Sequence, residues 1–94
     1  MDLKIPYSTV KNSQEAFAVV RSFLENDGLS IIPIKPHFQF MPEKNLIIAE
    51  GSGFKIRALF EPDFVAISID LSFLYRAFKG KVSNVLEQHF KKKL

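Results

Sequence analysis

The chain contains no cysteine and no tryptophan. Without cysteine it has no disulfide framework and no thiolate metal site, and a reducing compartment such as the cytoplasm is expected. With no tryptophan and ten phenylalanines, its core has to be built on Phe. No uninterrupted apolar run is long enough to cross a bilayer, so no transmembrane segment is expected. The opening MDLKIPYSTVKNS lacks a basic stretch followed by an apolar one and does not read as a secretion signal. Strong charge of either sign is missing as well. The formal charge of +3 permits contact with an anionic surface without requiring nucleic acid.

The 94 residues suit one domain, 1–94, large enough for a single core. The clearest pattern runs from Phe54 to Leu71. Phe54, Ile56, Ala58 and Phe60 alternate with Lys55 and Arg57, and Val65, Ile67, Ile69 and Leu71 alternate with Ala66, Ser68 and Asp70. Period-two alternation marks strands with one buried face. A two-residue Pro62-Asp63 loop sets Phe60 opposite Val65, Ala58 opposite Ile67 and Ile56 opposite Ile69. It also sets Lys55 opposite Asp70 and Arg57 opposite Ser68, and a one-residue slip would oppose apolar to charged positions throughout.

Upstream, Leu46 to Glu50 reads as a strand with Leu46 and Ile48 inward. A three-residue Gly51-Ser52-Gly53 loop would place Ile48 opposite Ile56 and Leu46 opposite Ala58. Leu3, Ile5 and Tyr7 alternate with Asp2, Lys4 and Pro6 in a short first strand, whose proline belongs at an edge or an end. Asn12 with Glu15 three residues on marks a helix start. Ala16, Phe17, Val20, Phe23 and Leu24 form its apolar stripe to about Glu25, and Asn26-Asp27-Gly28 stops it. Pro33 and Pro36 exclude a regular central strand there, while His37 to Phe40 alternates as an edge strand and Met41 to Asn45 is a loop.

After Leu71 the period changes. Leu74, Phe78, Val82, Val85, Leu86, His89 and Phe90 recur at helical spacing. A helical turn over Ser72 to Arg76, a kink, and a helix from about Lys79 to Lys92 are predicted, with Lys91, Lys92 and Lys93 at its cation-favouring end. The fold class is therefore α+β, in the order β-α-β-β-β-β-α. A curved antiparallel sheet would be covered on one face by the C-terminal helix, in a helix-grip-like arrangement.

No catalytic constellation, metal site or cofactor motif emerges, and a non-enzymatic role is expected. His37 lies on the polar parity of an edge strand and His89 near the last helix's apolar stripe, in no H-x-x-x-H or H-E-x-x-H pattern. Both read as structural histidines. Asp70, inside a predicted strand, reads as a partner of Lys55 before it reads as a general base. Gly51-Ser52-Gly53 leads into a strand and not a helix N-terminus, so it cannot cradle phosphate as a nucleotide loop does. Two clusters remain as candidates. Phe73, Leu74, Phe78, Phe90, Phe38 and Phe40 form either packed core or an apolar binding surface. Arg76, Lys79, Lys81, Lys91, Lys92 and Lys93 form either a solvated helix face or contacts to an anionic surface.

The stretch from Val65 to Leu94 resembles a family of small bacterial proteins, the polyhydroxyalkanoic acid system proteins. The likeness rests on the strand VAISIDLSF, the following LYRAFKGKV and the charged terminal helix. Phe73, Leu74, Arg76, Phe78, Lys79 and Gly80 match the family's Phe-Leu-Leu-Arg-Pro-Phe-Lys-Gly-like run, whereas Tyr75 and Ala77 depart from it. The resemblance implies a non-enzymatic cytoplasmic protein of the polyhydroxyalkanoate storage system, whose partner is a hydrophobic polyester, its granule surface or a granule protein. The element order also resembles a reduced helix-grip, START-like fold, which implies as an alternative a carrier of a fatty-acyl or hydroxyacyl ligand. A basic nucleic-acid-binding module is a second alternative, disfavoured because no aromatic stands clearly exposed beside the cations. A homodimer is compatible with the Pro-interrupted edge and the surplus of Phe.

Overall fold

The computed structural model describes residues 2–26, 36–71, 77 and 79–94. Strand β1 is Leu3–Pro6 and helix α1 is Ser13–Asn26. Four strands follow: β2 is His37–Met41, β3 is Leu46–Gly51, β4 is Phe54–Phe60 and β5 is Phe64–Leu71. Helix α2 is Lys79–Lys93. The strands form one antiparallel sheet in the order β1-β5-β4-β3-β2. With β1 on one edge and β2 on the other, the stretch containing α1 carries the chain across the whole sheet. Pro6 ends an edge strand, where its missing N–H costs no ladder bond. The expected turn over Ser72 to Arg76 and its kink lie outside the described residues.

The β4–β5 hairpin has the register that its alternation predicts. Phe60 faces Val65, Ala58 faces Ile67, Ile56 faces Ile69 and Lys55 faces Asp70. The Glu61 N–H donates to Phe64 O at 2.8 Å, closing the turn around Pro62 and Asp63. Lys55 and Asp70 are cross-strand neighbours, yet they do not come within ion-pair distance.

The β3–β4 hairpin departs from expectation by one residue. Gly51 pairs with Phe54, so the turn has two residues, Ser52 and Gly53, and Gly53 takes the positive φ of 88°. Ala49 therefore faces Ile56, and Ile47 faces Ala58. The inward residues are Ile47 and Ala49, not Leu46 and Ile48. Gly51 is constrained too: a Cβ there would lie 2.5 Å from the Phe54 ring. The predicted loop after β2 contains a single 3-10 turn, Pro42–Lys44, ended by Asn45 in the left-handed region.

Both helices lie on the face that carries Ile47, Ala49, Ile56, Ala58, Val65, Ile67 and Ile69. Asn12 caps α1, its Oδ1 accepting from the Glu15 N–H at 2.8 Å. Ala16, Phe17 and Val20 turn into the core, and Phe17 meets Phe60 edge-on at 5.7 Å. From α2, Leu86 and Phe90 join them. Burying each such large apolar side chain contributes about 1.5–3 kcal/mol, so the layer between sheet and helices dominates the fold's stability.

The segment after β1 is held at both ends. Tyr7 donates its hydroxyl to Glu61 O at 2.7 Å. Burial, reinforced by the Glu61 and Asp63 charges, pushes the Tyr7 phenol up to about 12. Beyond it, the N–H groups of Ser8, Thr9 and Val10 converge on Leu94 O, and Thr9 Oγ1 donates to Lys93 O at 2.9 Å. The Leu94 side chain is fully buried.

Candidate functional site

The sequence candidates separate in space. Phe90 is only 6% exposed and belongs to the core, so it does not contribute to a surface. Helical spacing puts it on the same face of α2 as Leu86, which packs against the sheet. Phe38 and Phe40 are half-buried and stacked at 5.9 Å on edge strand β2, with the Arg21 guanidinium 4.9 Å above the Phe40 ring. Phe73, Leu74, Arg76 and Phe78 lie outside the described residues.

The α2 lysines divide by partner. Lys79 Nζ lies 2.9 Å from Asp2 Oδ1, while Asp2 Oδ2 accepts from the Ile69 N–H at 2.7 Å. These contacts, the backbone N–H first and the Lys79 ammonium second, hold the Asp2 carboxyl below its ordinary range. Lys79 is thus a structural cation that ties the start of α2 to β1 and β5. Lys91 pairs with Glu87 one turn back at 3.6 Å. Lys81 and Lys92 are exposed and make no ion pair among the described residues.

Lys93 has a different setting, which sequence reasoning missed. Its Nζ sits 5.0 Å above the Phe23 ring, and His89 is stacked on Phe23 at 5.8 Å. These groups adjoin an open groove of about 450 Å³ between α1 and the last turn of α2. Its walls are Ala18, Val19, Ser22, Phe23, Asn26 and Lys93. Asn26 Nδ2 donates to Ser22 Oγ at 3.4 Å along one rim. Phe23 belongs to the apolar stripe of α1, but α2 covers it only in part. A half-covered aromatic with a cation over its face was concealed in the sequence by the 70 residues separating Phe23 from Lys93.

Among the described residues, the interior beneath α2 is closely packed. A gap of about 40 Å³, walled by Val20, Leu24, Phe38, Ile47, Leu86 and other apolar residues, is the space found there among the described residues. Ligand pockets run to roughly 300–1,000 Å³. Among the described residues, no group of three His, Cys, Asp or Glu could hold a metal ion, and no helix is long and apolar enough to cross a membrane.

Neither helix covers the opposite face of the sheet, where Ile48, opposite Arg57, is nonetheless only 9% exposed. Leu46, Leu59 and Ala66 lie in one cross-strand row there, and Leu59 is 39% exposed. The register correction in β3 puts Leu46 on this face. Compared with models of protein families, with curated proteins and with solved structures, the chain matches none.

Proposed function

We propose that this chain is a non-enzymatic protein of the bacterial polyhydroxyalkanoate storage system, which seats on the polyester or on a protein at the granule surface. The contact is the groove between α1 and the end of α2. The observation that carries the reading is Lys93 poised over a half-covered Phe23. An aliphatic polyester offers apolar side chains and ester oxygens that accept hydrogen bonds and donate none. The groove answers with Ala18, Val19 and Phe23 as its apolar wall and with donors from Lys93, Ser22 and Asn26 at its rim. Exposed Lys92 and Lys81 on the same helix suit an anionic granule surface. The close packing of the described interior favours such a surface contact over a helix-grip carrier that would enclose an acyl chain.

The test is co-sedimentation of the purified chain with polyhydroxyalkanoate granules from low to molar salt, with Phe23→Ser and Lys93→Glu variants. Retention in high salt, lost in a still-folded Phe23→Ser, is the expected result, because apolar burial is little affected by screening. Retention that vanishes in salt and is unaffected by Phe23→Ser would reduce the contact to general electrostatics. That outcome would favour the nucleic-acid alternative, whose affinity falls steeply with salt.

A further inference from the structure

The outward positions of β4 read Lys55, Arg57 and Leu59, and Glu61 and Asp63 continue the same spacing in sequence through the turn that follows. Two cations precede the leucine and two acids follow it, at even spacing. Lys55 lies between Glu50 and Asp70 on the neighbouring strands, so its charge has acids beside it. Arg57 lies between Ile48 and Ser68 and has none. Neither Arg57 nor Glu61 makes an ion pair among the described residues. Leu59, midway between them, is the exposed large hydrophobic residue of the described chain.

A two-fold axis requires that where residue i meets j, residue j also meets i. An axis through Leu59, lying in the plane of contact and perpendicular to the strands, places β4 of one copy antiparallel over β4 of the other. Leu59 then meets Leu59, and Arg57 meets Glu61 in both directions. A charge pattern antisymmetric about one apolar residue satisfies this symmetry, whereas an axis along the strands would set like charges together.

We propose that the sheet face turned away from both helices is a homodimer interface, with two copies packed sheet to sheet about Leu59. A depression of about 380 Å³ between Leu46, Arg57, Leu59, Ala66 and Ser68 receives the partner copy's leucine. Stacked sheets lie about 10 Å apart, which side chains of this size fill. The face of five strands is roughly 20 Å across and 24 Å along β4, from strand spacing and rise. Two such faces bury on the order of 1,000 Å², the lower limit for a specific interface. Lys4, on edge strand β1 with its ammonium 4.5 Å over the Phe64 ring, lies in the cross-strand row of Leu59 and so meets its own counterpart at the rim, where the long side chains separate into water. The Phe23–Lys93 groove is on the helical side and stays open in this dimer.

Equilibrium sedimentation of the full chain tests the proposal, with Leu59→Lys, Arg57→Glu, Glu61→Arg and the Arg57→Glu/Glu61→Arg double variant. The wild type is expected at twice the monomer mass. Leu59→Lys and each single charge reversal should raise the dissociation constant at least about tenfold, since like charges then oppose across the axis. The double reversal restores the pairing and should return dimerisation toward wild type. Circular dichroism establishes that each variant is folded, and the charge pair decides the matter if Leu59→Lys does not fold. A monomeric wild type at millimolar concentration overturns the proposal. So does a dimer indifferent to both single reversals, or a monomer whose polyester binding is lost in Leu59→Lys.

Discussion

The Ser8 N–H donates to Leu94 O at 2.6 Å, joining the segment after the first strand to the residue that follows α2. The Thr9 and Val10 N–H groups converge on the same oxygen, and the leucine side chain is fully buried beneath them. Such a cluster of successive N–H groups forms a small concave donor site that holds an acceptor oxygen. It fixes the end of α2, and with it the position of Lys93 in the groove.

Leu94→Ala should therefore cost about 2–5 kcal/mol, the range for emptying a buried leucine site. Urea unfolding followed by circular dichroism measures it. A loss below about 0.5 kcal/mol, the size of an ordinary surface substitution, would mean that the leucine is not packed as described.

Asn12→Ala removes the acceptor for the Glu15 N–H and should destabilise the chain by about 1 kcal/mol. Asn12→Ser should recover most of this, because serine also caps. Equal losses in both variants would show that the cap is not the cause.

Asp2 makes an acid-side prediction. Its folded carboxyl titrates below the ordinary range, so its contribution is present above the unfolded value of about 3.9 and is lost as pH falls through the depressed folded value. The stability difference between wild type and Asp2→Asn should be steady near neutral pH and shrink toward zero on acidification. Urea midpoints across that range check it. A difference that widened on acidification would contradict the Ile69 and Lys79 contacts.

Tyr7 makes the alkaline counterpart. Its folded phenol is pushed up to about 12, so stability is fully present below the unfolded value of about 10 and is lost as pH rises from there through the folded one. Ultraviolet titration should show a late phenolate step that is absent in Tyr7→Phe. An early Tyr7 step in a still-folded chain would mean that the phenol is not buried as described.

The fold was legible where one parity alone is apolar. In FKIRALF alternate residues are Phe, Ile, Ala and Phe, and the intervening Lys55 and Arg57 exclude a slipped register even though the third intervening residue, Leu59, is apolar. LIIA, at the start of β3, is apolar on both parities, and Gly51-Ser52-Gly53 can make either a two- or a three-residue turn. Alternation could not choose between them. The choice rests instead on Gly51, which has no Cβ to collide with Phe54, and on Gly53 taking the positive φ. That single step moved Leu46 to the face turned away from both helices and Ile47 to the core.

The candidate site was less legible because it joins distant parts of the chain. Phe23 fitted a core stripe and Lys93 fitted a helix end, and each assignment was locally sound. Only the packing of α2 against α1 brings the ammonium over the ring. Phe90 failed as a surface residue for the converse reason, since the face of α2 that carries it is the one that meets the sheet.

The most direct measurement is a chemical-shift map of the isotope-labelled chain titrated with a water-soluble oligomer of 3-hydroxybutyrate. Saturable shifts gathered at Val19, Ser22, Phe23, Asn26 and Lys93, and weakened by Phe23→Ser, are the expected result. Shifts confined to Leu46, Leu59 and Ala66, or no shifts up to the oligomer's solubility, would contradict the assignment of this groove to the polyester.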